Sequence, residues 1–132
     1  MADPILHLAV PVRDLDESRR FYEDAIGCAL GRVRPDWVDV WFFGMQLTLH
    51  LRPEQALPAH DQGVRHFGVA FPDAASFDAA MARLRAHGVR WLSEPTTYEA
   101  AELGGKTSAK FADPSGNVIE MKHYPDGSPL RD

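Results

Sequence analysis

A chain of 132 residues has the size of one ordinary domain and can bury a core without disulfides or structural metals, which argues against two domains. Its apolar fraction of 45% and charged fraction of 25% are globular averages, which sets aside disorder, collagen-like repeats and coiled coil. A formal charge of −5 with no basic stripe argues against nucleic acid and anionic membrane as partners, and leaves a small-molecule ligand as the default.

No run approaches the roughly 20 apolar residues of a bilayer span. The start Met1-Ala2-Asp3-Pro4 lacks a basic-then-apolar leader, so the expected location is the cytoplasm. Cys28 is the lone cysteine, excludes an intramolecular disulfide and reads as a small core hydrophobe.

In chain order, residues 5–12 alternate as a strand. Asp14 with Glu17 forms a capping-box start for a helix over residues 15–26, with Leu15, Tyr22 and Ile26 at helical spacing and Gly27 as its left-handed stop. Strands follow over residues 28–34, 36–43 and 45–52. In the last of these Gln46, Thr48 and His50 alternate with Leu47, Leu49 and Leu51. Residues 53–62, with two prolines, read as a connection.

The same order then restarts. A strand over residues 63–71 precedes Asp73, and a helix with Phe77, Ala80, Met81 and Leu84 at i, i+3, i+4, i+7 stops at His87-Gly88. A short strand begins at Trp91, residues 94–106 form a long loop containing Gly104-Gly105, and strands over residues 107–112 and 117–124 flank a tight turn at Asp113-Pro114-Ser115-Gly116.

The two halves superpose in sequence. The segment from His7 to Asp14 matches that from His66 to Asp73 position for position, and Gly44 to Thr48 lies over Gly116 to Glu120. This is an internal repeat of βαβββ units, an α+β design with module 1 at about residues 4–52 and module 2 at about 63–124 of a single domain. Strand parity puts His7, His66 and Glu120 on the faces opposite Leu8, Phe67 and Ile119, which look ready to cover helices. Two imidazoles and a carboxylate from three strands suit Fe(II), Mn(II) or Zn(II) and leave open positions for substrate.

The paired modules, with His7-x-Ala-x-Pro-Val-x-Asp-Leu-Asp, then Phe21-Tyr22 and Gly27, and finally Phe111-x-Asp-Pro-Ser-Gly-Asn-x-Ile-Glu120, resemble the vicinal oxygen chelate superfamily of glyoxalases, bleomycin resistance proteins and dioxygenases. The resemblance spans residues 5–124. It implies a cup-shaped sheet with helices outside, around a metal that chelates two neighbouring substrate oxygens. Asp36-Trp37-x-Asp39, Phe43-Gly44-x-Gln46-Leu47 and His50 ahead of His66-Phe67-Gly68 are most similar to small predicted extradiol-type dioxygenases. That similarity implies Fe(II), with Mn(II), Zn(II) or Ni(II) as alternatives, and assigns His50 to proton transfer. Lys110 stands where such enzymes carry an acid/base tyrosine. A glyoxalase-like lyase or epimerase, whose fourth metal ligand falls at Thr48 by repeat symmetry with Gln46 or His50 as substitutes, is the alternative, as is a metal-free drug-binding protein.

Trp37, Asp39 and Trp41 share one strand face, and with Gln46 they are the expected substrate contacts. Two indoles suit a flat, oxygenated, aromatic substrate. A homodimer is the expected assembly, and the modules have two ways to pair, within one chain or between two.

Overall fold

The computed structural model describes residues 2–98 and 105–124. Its elements are β1 (His7–Val12), α1 (Leu15–Arg20), β2 (Ala29–Val33), β3 (Trp37–Phe42), β4 (Met45–Leu51), β5 (Phe67–Phe71), α2 (Ala74–Ala86), β6 (Arg90–Tyr98), β7 (Lys106–Ala112) and β8 (Val118–His123). They build two open four-stranded mixed sheets, ordered β1-β4-β3-β2 and β5-β8-β7-β6. In each, the first strand pairs parallel to the last and the other pairings are antiparallel. The α+β architecture of two βαβββ units read from the sequence is therefore the one that forms.

Register makes the repeat physical. Ala9 lies opposite Thr48 in the first sheet, and Gly68 lies opposite Glu120 in the second. Asp39 stands beside Thr48 as Lys110 stands beside Glu120.

Each sheet buries the face whose residues the apolar alternation marks. Val12, Val38, Val40, Leu47 and Leu49 join Phe71, Phe111, Ile119 and Met121 in one core with Tyr22, Phe77, Met81 and Leu84 from the helical segments. Each such side chain contributes about 1.5–3 kcal/mol by leaving water. Both helices thus cover the faces opposite the polar site residues. They also touch: Arg83 Nε, on α2, donates to the Asp24 carbonyl at 2.8 Å.

Both helix starts follow from their caps. Asp14 Oδ1 accepts from the Glu17 amide at 2.8 Å and Asp73 Oδ1 from the Ser76 amide at 2.7 Å, each worth about 1 kcal/mol. The first helix changes character, however. After Arg20 it widens into a π-helical turn, Phe21–Ile26, which ends at Gly27 with φ 94° while the Gly27 and Cys28 amides both reach the Tyr22 carbonyl. Apolar spacing does not distinguish this turn from α-helix, because the buried positions Tyr22 and Ala25 suit both.

Two boundaries differ from the sequence reading. The fifth strand starts at Phe67 rather than near residue 63, so His66 immediately precedes it. Val64 is 89% exposed, so no packing holds the preceding residues in the ladder. The sixth strand runs on through Pro95 to Tyr98, where a loop was expected. Its place at the sheet edge explains this, since an edge strand tolerates a residue without an amide hydrogen, and register shifts flank that stretch. The rest of the expected loop, residues 99–104, lies outside the described residues.

The turn from β3 to β4 places Phe43 at φ 49° and Gly44 at φ 84°. A phenylalanine in the left-handed region is uncommon. Phe43 is held there by edge-on contacts with Phe42 and with Phe71 of the second module.

Candidate metal and substrate site

Glu120 projects from β8 away from the helices because its neighbours Ile119 and Met121 fill the core. His66 Nδ1 faces the Val64 carbonyl at 2.7 Å. A carbonyl only accepts, so Nδ1 is the donor in this contact and Nε2 is the nitrogen turned toward Glu120. That Nε2 lies 3.3 Å from Glu120 Oε1. A ring nitrogen and a carboxylate oxygen at this separation can share a cation, either a proton or a metal ion. Lys106 Nζ approaches the other carboxylate oxygen at 3.9 Å, and Lys110 lies opposite Glu120 in the β7–β8 ladder.

The first sheet carries the matching half. His7 Nδ1 lies 3.2 Å from the Gln46 carbonyl, so Nε2 is the nitrogen turned away from that strand, and the ring is exposed. Across the same face run Ala9, Thr48 and Asp39 in register. Thr48 donates its hydroxyl to Asp39 Oδ1 at 2.7 Å, and Arg32 Nε donates to Oδ2 at 2.7 Å. Asp39 is only 1% exposed. Burial alone would raise its carboxyl pKa, but the two donors and the charge of Arg32 outweigh burial and hold it below the usual carboxylate range.

His50 lies opposite Pro11 and Trp37, and Trp41 opposite Gln46, so all the first-module candidates share the His7 face. Both indoles are half-buried. Thr48, at the position of a fourth ligand, has its hydroxyl proton committed to Asp39.

His66 and Glu120 therefore meet, as do Thr48 and Asp39. His7 does not join the first pair: among the described residues no three His, Cys, Asp or Glu side chains gather into a metal-sized cluster. The structure also adds residues that the sequence reading passed over. Lys106 falls next to the long loop, and Gly31-Arg32 was absorbed into an ordinary strand, although a glycine inside a strand signals a bulge or a close approach.

The Asp113-Pro114-Ser115-Gly116-Asn117 motif is a structural joint. Asp113 is buried and accepts from Tyr22 Oη at 2.8 Å and from Asn117 Nδ2 at 2.8 Å, besides the Ser115 and Asn117 amides. Asn117 Nδ2 also donates to the Pro11 carbonyl at 2.9 Å, and Ser115 Oγ accepts from the Arg13 amide at 2.9 Å. The turn so ties the second module to β1 and the first helix. Cys28 is buried and its thiol is pushed up to about 12 by burial, which leaves it inert as a nucleophile.

A family model described as the Glyoxalase/Bleomycin resistance protein/Dioxygenase superfamily matches residues 4–121. The chain belongs to this superfamily. It is similar to a 2-epi-5-epi-valiolone epimerase from Actinomyces sp, 30% identical over 151 aligned positions that cover 94% of this chain and 81% of that protein. Among solved structures it is similar to a glyoxalase/bleomycin resistance protein/dioxygenase from Alicyclobacillus acidocaldarius, with TM-score 0.84, 33% identity and 92% of each chain covered. A fosfomycin resistance protein from Listeria monocytogenes shares the fold, with TM-score 0.72 at 14% identity over 93% of this chain and 94% of that one.

Superfamily members usually bind a divalent metal, and the donor chemistry here fits one. Each histidine has Nδ1 against a backbone carbonyl, the second contact that orients a metal-ligating imidazole through Nε2, and the carboxylate beside His66 supplies negative charge.

Proposed function

We propose that this chain is a metal-dependent epimerase- or isomerase-type enzyme that moves a proton at a carbon next to a carbonyl of a small polyoxygenated substrate. The observation that carries the reading is the His66–Glu120 pair, with His66 Nε2 3.3 Å from the carboxylate and Lys110 in register beside it. Similarity to an epimerase along 94% of the chain supports the same class, as does a lysine where extradiol-type enzymes carry tyrosine.

In this reading His7, His66 and Glu120 hold one divalent ion, and His7 comes from a second copy of the chain. Exposed Ile5, Leu6 and Val64 adjoin the two histidines, and a partner copy would cover them. When bound, the ion would polarise the substrate carbonyl. His50 accepts the proton from the adjacent carbon, and the C–H electron pair moves toward the carbonyl. Lys110 returns a proton to the opposite face of that carbon. Trp37 and Trp41 cover the ring and exclude water, while Gln46 offers an amide to a hydroxyl.

The test is proton exchange in D2O, followed by NMR under argon, with Mn(II)-, Co(II)-, Ni(II)- or Zn(II)-loaded protein and a panel of cyclic polyhydroxy ketones. Deuterium should enter the carbon next to the carbonyl, and His66→Ala should stop it. Absence of exchange with every metal and ketone would defeat the reading.

A second reading is O2-dependent cleavage of a catecholic ring with Fe(II). It is favoured by His50 on the same face as Trp37 and Trp41. Oxygen uptake by Fe(II)-loaded protein with a catechol, without the exchange above, would select it.

A further inference from the structure

We infer that Arg32, aimed by Asp39, is an oxyanion-binding residue that makes the site prefer a substrate bearing a phosphate or carboxylate group. The inference rests on the reading of this sheet face as the substrate site.

Its geometry starts with a bulge. Leu30 pairs with Val40 and Val33 with Val38, so Gly31 and Arg32 both stand against the single residue Asp39. Such a bulge re-aims a side chain, and here it turns Arg32 onto the His7 face. Glycine is required at position 31: a Cβ there would lie 2.9 Å from Asp39 Cβ and 3.1 Å from the Asp39 carbonyl oxygen. Sequence and backbone thus combine to seat an arginine on a buried carboxylate.

The two partners of this ion pair differ sharply in exposure. The Asp39 side chain is 1% exposed and also takes the Thr48 hydroxyl, whereas the Arg32 side chain is 60% exposed. An ordinary surface pair exposes both partners and fixes neither. Here the carboxylate is fixed and the arginine is displayed. Nε is spent on Asp39, and among the described residues the guanidinium makes no other hydrogen bond, so its Nη edge faces outward. That planar edge matches the oxygens of a phosphate or carboxylate.

Charge and stacking point the same way. The Arg32 guanidinium lies 4.9 Å from the Trp37 ring centre, and Arg34 lies 5.7 Å from the same ring. Trp37 therefore gathers two cations at the rim of the sheet. Asp39 is a positioning residue in this account, since both its oxygens are already engaged.

The test uses metal-stripped full-length protein and calorimetric titration with three probes: neutral myo-inositol, its 1-phosphate, and glucuronate. One or both anions should bind about tenfold or more tightly than myo-inositol, and the preferred anion names the group recognised. Arg32→Ala should remove the preference, and Arg32→Lys should keep only part of it, having charge without the fork. The double variant Arg32→Ala/Asp39→Asn avoids stranding a buried carboxylate and should lose the preference while keeping wild-type circular dichroism. Asp39→Asn alone, with Arg32 present but unaimed, should bind the anion more weakly than wild type, and salt should weaken wild-type binding.

Equal binding of all three probes, or an anion preference that survives in the double variant, would overturn the inference. The titrations need neither metal nor turnover. Lost proton exchange with an intact anion preference would therefore count against the proton-transfer reading alone.

Discussion

Gly68 stands directly opposite Glu120 in the β5–β8 ladder, so close that a Cβ on Gly68 would overlap the Glu120 backbone. The residue two positions after His66 must therefore lack a side chain for the two candidate ligands to share one strand pair. Gly68→Ala should force β5 away from β8, destabilise the fold by about 1–3 kcal/mol and weaken metal binding together. Urea unfolding and a Co(II) titration monitored by absorbance check both, and a variant with wild-type values in each would remove this constraint.

Asp113 predicts a pH dependence. Burial, the largest influence, raises its pKa despite donors from Asn117 and Tyr22. The folded state then binds a proton more readily than the unfolded chain. Its favourable contribution is present below the ordinary carboxylate pKa and is lost as pH rises through the folded-state value. Glu17, Asp39 and Asp73 shift the opposite way, so the useful quantity is a difference. The stability of wild type relative to Asp113→Asn should fall as pH rises across that window, measured by urea unfolding at a series of pH values. Tyr22→Phe, which removes a 2.8 Å hydrogen bond to this carboxyl, should cost about 1.5–3 kcal/mol at neutral pH.

His50 and Lys110 separate binding from chemistry. Neither belongs to the proposed ligand set, so His50→Gln and Lys110→Met should keep wild-type metal content by elemental analysis. Each should slow deuterium exchange by about 10²- to 10⁴-fold. Loss of metal in His50→Gln would instead make His50 a ligand.

Much of this was legible in the sequence because it rests on local rules. Asp14 and Asp73 announce their helices, Gly27 ends the first, and alternation in Met45–Leu51 sorts Thr48 and His50 from Leu47 and Leu49. Register then aligned Thr48 with Glu120 as the repeat required. The π-turn at Phe21–Ile26 was hidden because apolar spacing does not report which carbonyl an amide chooses. The extension of β6 through Pro95 depends on its position at a sheet edge, a tertiary property. Arg32 was hidden for a related reason. Strict alternation puts Arg32 on the face opposite Gly31, and only the bulge against Asp39 brings the two to one side.

The gathering of His7 with His66 and Glu120 was the step that parity alone could not decide. Parity fixes faces within a sheet and says nothing of which sheet meets which. Within the chain His66 meets Glu120 and His7 stands on the other sheet, which is why His7 is proposed to act in trans.

Co-expression of His7→Ala and Glu120→Ala chains bearing different tags, purified through both tags in turn, tests that account most directly. Each variant alone should be a dimer without bound metal. The mixed dimer should hold about half the metal of the wild-type dimer, because one of its two sites combines an intact His7 with an intact His66 and Glu120. A mixed dimer as empty as its parents would contradict a site shared between copies.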